Sequence, residues 1–293
     1  MTEVVCIDET RCILGESPIW SPDEQALYWV DIQNAMIFRL HPESGERRNW
    51  PVETELGSIG FGPDGKLICG TRMGLAWYDF ETHKLEVIAD PEGDKQWNTI
   101  RLNEGKVDRA GRYWCGSMED PGHGPKGSLY RFDANGDCKK FLTDLQVPNA
   151  ICWSPDDSVM YFADSYEGRI RAYDFELAEG AISNERVFVD TSDEEGHPDG
   201  ATVDAEGYLW SAQIFGGKVK RYTPDGAVDR VVEIPTSRVT CCAFGGTNLD
   251  VLYVTTASFG MDRDALAADP MAGKTFTINV GVKGLPEPRF GQG

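Results

Sequence analysis

The 293-residue chain is short of positive charge, free of long apolar runs and nearly devoid of helical periodicity, and each shortage removes a class of function. Lys and Arg number 28 against 48 Asp and Glu, a formal net charge of −20. So acidic a chain repels phosphate backbones and anionic lipid surfaces, so neither nucleic acid nor a membrane is expected as a partner. The same acidity is also an ordinary route to solubility. No apolar stretch approaches the ~18 residues that a spanning helix needs. The N-terminus, with Glu3, Asp8 and Glu9, lacks the basic and apolar regions of a secretory signal. Cys6, Cys12, Cys69, Cys115, Cys138, Cys152, Cys241 and Cys242 show no C-x-x-C spacing, which argues against a zinc cluster or a disulfide framework. Most are expected to pack as small hydrophobes in a reducing compartment, which gives a cytoplasmic address.

What the chain does have is a repeat. Val147-Pro148-Asn149-Ala150-Ile151-Cys152-Trp153-Ser154-Pro155-Asp156-Asp157 runs into Val159-Met160-Tyr161-Phe162-Ala163-Asp164: an apolar strand, a Pro/Asp turn and a second strand rich in aromatic and β-branched residues. Degraded copies place the same turn at Asp23, Asp64, Ala110, Glu206 and Asn248, in addition to Asp156, with steps of 41, 46, 46, 50 and 42 residues. Such a period suits a four-stranded propeller blade of about 40–45 residues. The expectation is an all-β fold, a six-bladed β-propeller with a central channel, formed by residues 1–293 as a single domain.

The segments Met36–Leu40, Gly74–Asp79, Gly127–Asp133, Arg169–Asp174 and Gly217–Tyr222 read as third strands of successive blades. Val4-Val5-Cys6 reads as an outer strand that completes the last blade and protects its edge. Asp262 to Ala268 has room for one or two helical turns before Pro270. The loop from Glu119 to Lys126, with Pro121, Gly122, His123, Gly124 and Pro125, interrupts the third blade after its second strand, as either a lid or a long surface turn.

The repeat superimposes residues far apart in sequence. Seven positions before the first five turns stand Glu16, Gly57, Asn103, Asn149 and Asp199, and eight before the sixth stands Thr240. Each is expected just before the first strand of its blade, so pseudo-symmetry brings all six to one mouth of the channel. Four of the six carry a carboxylate or an amide. Asn and Asp before a strand also cap backbone groups for folding reasons alone, but a pure folding signature would place Asx at Gly57 and Thr240 too. Convergent carboxylate and amide oxygens suit a hard divalent cation, and an incompletely coordinated ion polarises a carbonyl.

Further segments stand out: Leu14-Gly15-Glu16-Ser17-Pro18-Ile19-Trp20, Arg101-Leu102-Asn103-Glu104-Gly105-Lys106-Val107-Asp108, Pro148-Asn149-Ala150, Ile182-Ser183-Asn184-Glu185-Arg186, Pro198-Asp199-Gly200 and Thr240-Cys241-Cys242-Ala243-Phe244-Gly245-Gly246. Together they resemble the SMP-30/gluconolactonase/luciferin-regenerating (regucalcin-like) family. The resemblance spans essentially the whole chain. It implies a six-bladed propeller with one divalent metal in the channel that hydrolyses sugar lactones, with metal ligands at Glu16, Asn149 and Asp199 and substrate contacts at Arg101 and Asn103. Two departures stand out. The family's Asn-Asp-Gly reads Asn103-Glu104-Gly105. Its acidic substrate contact has no clear counterpart, because Gly116-Ser117-Met118 leads into Glu119, Asp120 and Pro121, where either acid could substitute.

The expected mechanism has the metal polarise a lactone carbonyl while Asp199 accepts a proton from the attacking water, with Arg101 and Asn103 orienting the ring. Arg72, His123 and Arg238 are further candidates for the channel mouth, and Trp97, Tyr166 and Phe215 for an apolar wall. Oxygen ligands leave calcium, zinc, magnesium, manganese and iron(II) all open. Two rival readings keep the ion: a phosphotriesterase or arylesterase, and a non-catalytic calcium-binding propeller. The polar loops Glu119–Lys126 and Asp193–His197 favour a sugar over an aryl ester. Oligomeric state and the identity of the sugar stay open.

Overall fold

The computed structural model describes residues 3–93 and 99–292. After a first strand, β1 (Val4–Asp8), the chain lays down four strands per blade. Blade one is β2 (Gly15–Ser21), β3 (Ala26–Asp31), β4 (Met36–His41) and β5 (Glu46–Pro51). Blade two is β6 (Leu56–Phe61), β7 (Leu67–Thr71), β8 (Gly74–Asp79) and β9 (Lys84–Ala89). Blade three is β10 (Ile100–Val107), β11 (Tyr113–Glu119), β12 (Gly127–Phe132) and β13 (Cys138–Leu145). Blade four is β14 (Pro148–Trp153), β15 (Val159–Asp164), β16 (Arg169–Glu176) and β17 (Ala181–Asp190). Blade five is β18 (His197–Val203), β19 (Leu209–Ile214), β20 (Lys218–Tyr222) and β21 (Val228–Glu233). Blade six takes β22 (Val239–Gly245), β23 (Val251–Thr256) and β24 (Thr275–Asn279), and β1 pairs antiparallel with β24 to complete it. This is the expected six-bladed propeller, closed by its N-terminal strand.

Burial falls from the axis outward. In blade four, β14 is buried throughout, β16 alternates, and most of β17 is exposed. That gradient explains why the inner pair reads as apolar runs and the outer strand as charged sequence. Among the described residues six apolar clusters form, one at each blade interface. The closing interface stacks Trp20 on Tyr253 with ring centroids 5.4 Å apart. The short helix α1 (Arg263–Ala268) is capped by Asp262, whose carboxylate accepts from the backbone N–H groups of Asp264 and Ala265. It lies in the loop between β23 and β24. No helix among the described residues is long and apolar enough to cross a membrane.

Part of the acidity is structural. Asp31 accepts from the backbone N–H groups of Ile13 and Leu14 at 2.8 and 3.0 Å, and Asp164 accepts equivalently from Gln146 and Val147 at 2.7 and 3.0 Å. Each pins the segment that enters the inner strand of its own blade. The buried Asp108 and Asp204 each accept from a tryptophan indole, Trp114 and Trp210, at 2.8 Å.

Every innermost strand carries a register shift in its first half: between Glu16 and Ile19, Leu56 and Ser58, Leu102 and Gly105, Asn149 and Cys152, Pro198 and Ala201, and Val239 and Cys241. A bulge turns a side chain out of the sheet's alternation. The six superimposable residues sit at these bulges, inside the strands and not just before them as the turn spacing had suggested. A seventh feature, invisible in the repeat, is the C-terminal tail. Gly284 donates to Leu249 O, Ala205 donates to Lys283 O, Phe290 donates to Phe61 O and Gly291 donates to Gly111 O, at 2.7 to 2.9 Å. The tail thus crosses from blades five and six to blades two and three, beneath the end of the channel opposite the bulges.

Candidate active site

The bulges aim Glu16, Asn103, Asn149 and Asp199 into one cavity of about 240 Å³ at the channel mouth. Gly57 and Thr240 do not join them, for steric reasons. A Cβ on Gly57 would lie 2.3 Å from Leu102 O and 2.7 Å from Asn103 O, so blade two must leave that position bare for blade three to approach. Thr240 is fully buried, and its hydroxyl donates to Gly15 O at 2.5 Å, which ties blade six to blade one.

Glu16 and Asp199 are buried, and among the described residues neither forms an ion pair. Among the described residues Glu16 Oε2 accepts only from the backbone N–H of Ser17, at 3.0 Å. Burial, and after it the carboxylate of Glu104, push Glu16 up to about 8. Burial, then Glu16 and Glu104, push Asp199 well above the ordinary carboxylate range. Two acids held this way suit a bound cation, which would favour their ionised forms.

Amide orientation adds a third oxygen. Asn149 Nδ2 donates to Ser165 Oγ at 2.8 Å, and that hydroxyl donates to Pro198 O at 2.7 Å. Asn149 therefore turns Oδ1 away from Ser165, where it accepts from Asn103 Nδ2 at 3.3 Å. Among the described residues no three His, Cys, Asp or Glu side chains are placed to hold an ion together. The donor set is two carboxylates and an amide oxygen, hard ligands that fit calcium and its neighbours.

Arg101 and Asn103 lie beside this set. Arg101 Nη1 donates to Asn103 Oδ1 at 2.6 Å, Arg101 Nε donates to Asp120 Oδ2 at 2.8 Å, and Asn103 Nδ2 also donates to Pro148 O at 3.0 Å. Asp120 additionally accepts from Arg72 Nη2 at 2.7 Å, and Arg72 pairs with Glu55. Burial opposes ionisation of Asp120, yet Arg101 and Arg72 together hold its carboxyl below the usual range.

Of the two acids expected to replace the family's substrate contact, only Asp120 lines the cavity. Glu119 is the last residue of β11, and its side chain turns into its own loop, paired with Lys126 and accepting from Gly124 N at 2.8 Å. The Glu119–Lys126 loop borders the cavity through Pro121, Gly122 and His123.

The rim is aromatic. The His123 and His197 rings lie 5.5 and 5.7 Å from Tyr166, and Phe215 meets Phe259 at 6.0 Å. Arg238 stacks over Phe215 and Phe259 at 5.4 and 5.7 Å, behind this wall and outside the lining. Trp97 lies outside the described residues. Sequence reasoning missed His197, Ser165 and Phe259. His197 was discoverable, because it stands two residues before Asp199, on the same side of β18. Ser165 and Phe259 follow the second strands of blades four and six, in loops that carry no repeat signal.

Residues 14–258 match the model of the SMP-30/gluconolactonase/LRE-like region. The chain is 34% identical to a regucalcin of Gallus gallus, covering 98% of both chains. It is 35% identical to a pentonolactonase of Haloferax volcanii, over 98% of this chain and 97% of that one. Among solved structures, it is similar to a calcium-binding regucalcin of Agrobacterium tumefaciens with a TM-score of 0.93, 32% identity and coverage of 97% and 96%.

Proposed function

The chain belongs to the SMP-30/gluconolactonase/LRE-like family, and from that membership we propose that it hydrolyses a sugar lactone to the open hydroxy acid, using one divalent ion held by Glu16, Asn149 and Asp199. The lactonase names of its relatives support the reaction. The observation that carries the ion is the pair of buried, unpaired acids, Glu16 and Asp199, beside an amide oxygen held outward by Ser165.

When bound, the ion supplies positive charge that keeps both acids ionised and draws electron density from an ester carbonyl. Asp199 takes a proton from the attacking water as the water oxygen bonds to the carbonyl carbon. The carbon to ring-oxygen bond then breaks, and the proton passes from Asp199 to the departing ring oxygen, giving a hydroxyl and a carboxylic acid that loses its remaining proton to solvent. Arg101, braced by Asp120 and Asn103, presents donors to the substrate's hydroxyls and fixes the ring against the attacking side. Tyr166, Phe215 and Phe259 cover the ring's apolar edges and narrow the mouth against bulk water.

The test uses protein stripped with chelator and titrated with calcium, magnesium, manganese, zinc or iron(II), assayed on a panel of aldonolactones and on an organophosphate triester. Ion-dependent lactone opening without triester cleavage supports the proposal. Turnover of the triester alone, or ion binding without any turnover, overturns it in favour of the two rival readings.

A further inference from the structure

The acid at 104 has not been given a role by the reaction. Glu104 follows Asn103 across the bulge of β10, so its side chain leaves the cavity wall and enters the channel below it. It is only 6% exposed. Its Oε2 accepts from the backbone N–H of Ile151 on the neighbouring blade at 3.0 Å, and the backbone of Ala201 on blade five also favours the ionised form, whereas Oε1 is buried without a hydrogen bond of ordinary geometry. An orphaned carboxylate oxygen in the interior is costly and calls for an explanation.

Two charges lie below it. Lys106, two residues on in the same strand, donates from Nζ to Ala201 O of blade five at 3.0 Å. Burial works against that ammonium, yet Glu287 of the tail and then the surrounding thiols and Glu104 hold its pKa above the ordinary value. Ser17, Glu104, Lys106 and Glu287 together line a cavity of about 20 Å³, room for a single water molecule. Down the axis, then, three acids come first, Glu16 and Asp199 at the mouth with Glu104 beneath them, followed by the opposite charge of Lys106 and by Glu287 on the strap that closes the far end.

We propose that Glu104 is a positioning residue whose charge sets the affinity of the Glu16, Asn149 and Asp199 site for its divalent ion, with Lys106 as the opposing charge that limits it. Glu104 is not a ligand. Its carboxylate crowds the two acids above it, and a divalent ion in that site relieves the repulsion. The ion therefore binds more tightly than the three ligands alone would allow. Lys106 subtracts from the same field, and the charge of Glu287 on the strap offsets part of that subtraction.

The inference rests on the ion site proposed above, and calorimetric titration of chelator-stripped protein with calcium at alkaline pH tests the two separately. Glu104→Gln keeps an acceptor for Ile151 N and removes the charge; calcium affinity is expected to fall roughly tenfold. Lys106→Gln keeps a donor for Ala201 O; affinity is expected to rise by a similar factor. The rise of melting temperature on adding calcium, measured for each variant against its own ion-free form, should shrink in the first and grow in the second. A purely structural role for either residue lowers the ion-free melting temperature and leaves the calcium affinity where it was. If wild type binds calcium and Glu104→Gln binds equally well, the inference fails and the ion site stands, whether or not Lys106→Gln folds. If wild type binds none of the divalent ions, both fall together.

Discussion

Asn103 Nδ2 donates to Asn149 Oδ1 across the boundary between blades three and four, at 3.3 Å, while its own Oδ1 accepts from Arg101. One amide therefore ties the guanidinium proposed to face the substrate to the oxygen proposed to face the ion. Its orientation is fixed, because Nδ2 also donates to the carbonyl of Pro148.

Replacing Asn103 with Ala should loosen both sides at once. The expected result is a fall in kcat/KM of about 10²-fold, the order seen when a group that positions reactants is lost, together with weaker ion binding. Arg101→Lys removes the planar fork but leaves Asn149 alone, so it should raise KM with the ion affinity unchanged. Steady-state kinetics paired with ion titration separates the two outcomes. Equal ion affinities in both variants would break the link.

Asp199→Asn should lower kcat by about 10²–10⁴-fold, the span typical of a lost general base, and weaken the ion as well. In ion-free protein the same change should stabilise the fold, because it removes one of the crowded buried carboxylates. Urea denaturation in excess chelator checks this. A variant that is less stable and still active would contradict both halves.

The crowded acids also set a pH dependence. Glu16 and Asp199 titrate higher in the folded chain than in the unfolded one, so the folded state holds extra protons between those values. Stability from this source is complete below the ordinary carboxylate pKa and is lost as pH rises toward about 8. Ion-free protein should therefore weaken progressively over that window. A saturating divalent ion, which favours the ionised acids, should flatten the slope, and denaturation midpoints measured with and without the ion read it directly.

Asp120 and Glu119 are neighbours in sequence with opposite expectations. Asp120 is gripped by Arg101 and Arg72 at the cavity wall, so Asp120→Ala frees Arg101 and should raise KM by roughly 10-fold or more, since a buried partner is left unpaired. Glu119 spends its charge on Lys126 and its other oxygen on Gly124. Glu119→Gln should leave KM within about 2-fold, the small effect expected of an ion pair beside a largely exposed lysine. A large KM effect at Glu119 would mean that the loop reorganises around substrate.

The ring was legible because each blade repeats one physical problem, two buried strands joined by a tight turn, and the answer to it left Pro, Asp and Gly at a period near 45 residues. The convergence of Glu16, Asn149 and Asp199 on one cavity was legible by the same symmetry. The bulges were not, because an extra residue in a strand leaves no mark on apolar patterning; their position explains why Asn103 faces the cavity while Glu104 enters the channel. Nor did spacing reveal which of Glu119 and Asp120 reaches the cavity. That choice depends on Arg72 of blade two, which is 48 residues from Asp120 and lies outside any repeat.

The tail was the least legible part, since Gly284-Leu285-Pro286-Glu287-Pro288-Arg289-Phe290 reads as a loop with no period of its own. In the structure Phe290 is 2% exposed and meets Trp77 of blade two and Tyr113 of blade three, with ring centroids at 5.4 and 6.5 Å. A ring deeply packed at a blade interface behaves as core whatever its place in the chain. Phe290→Ala should therefore cost about 3–5 kcal/mol, the usual loss for a buried aromatic, and it should do so without touching the ligand set at the other end of the channel. The comparison to make is a urea midpoint that drops sharply against a calcium affinity that stays put. If the affinity fell in step with the midpoint, the strap would be holding the ion site in shape as well as holding the blades together.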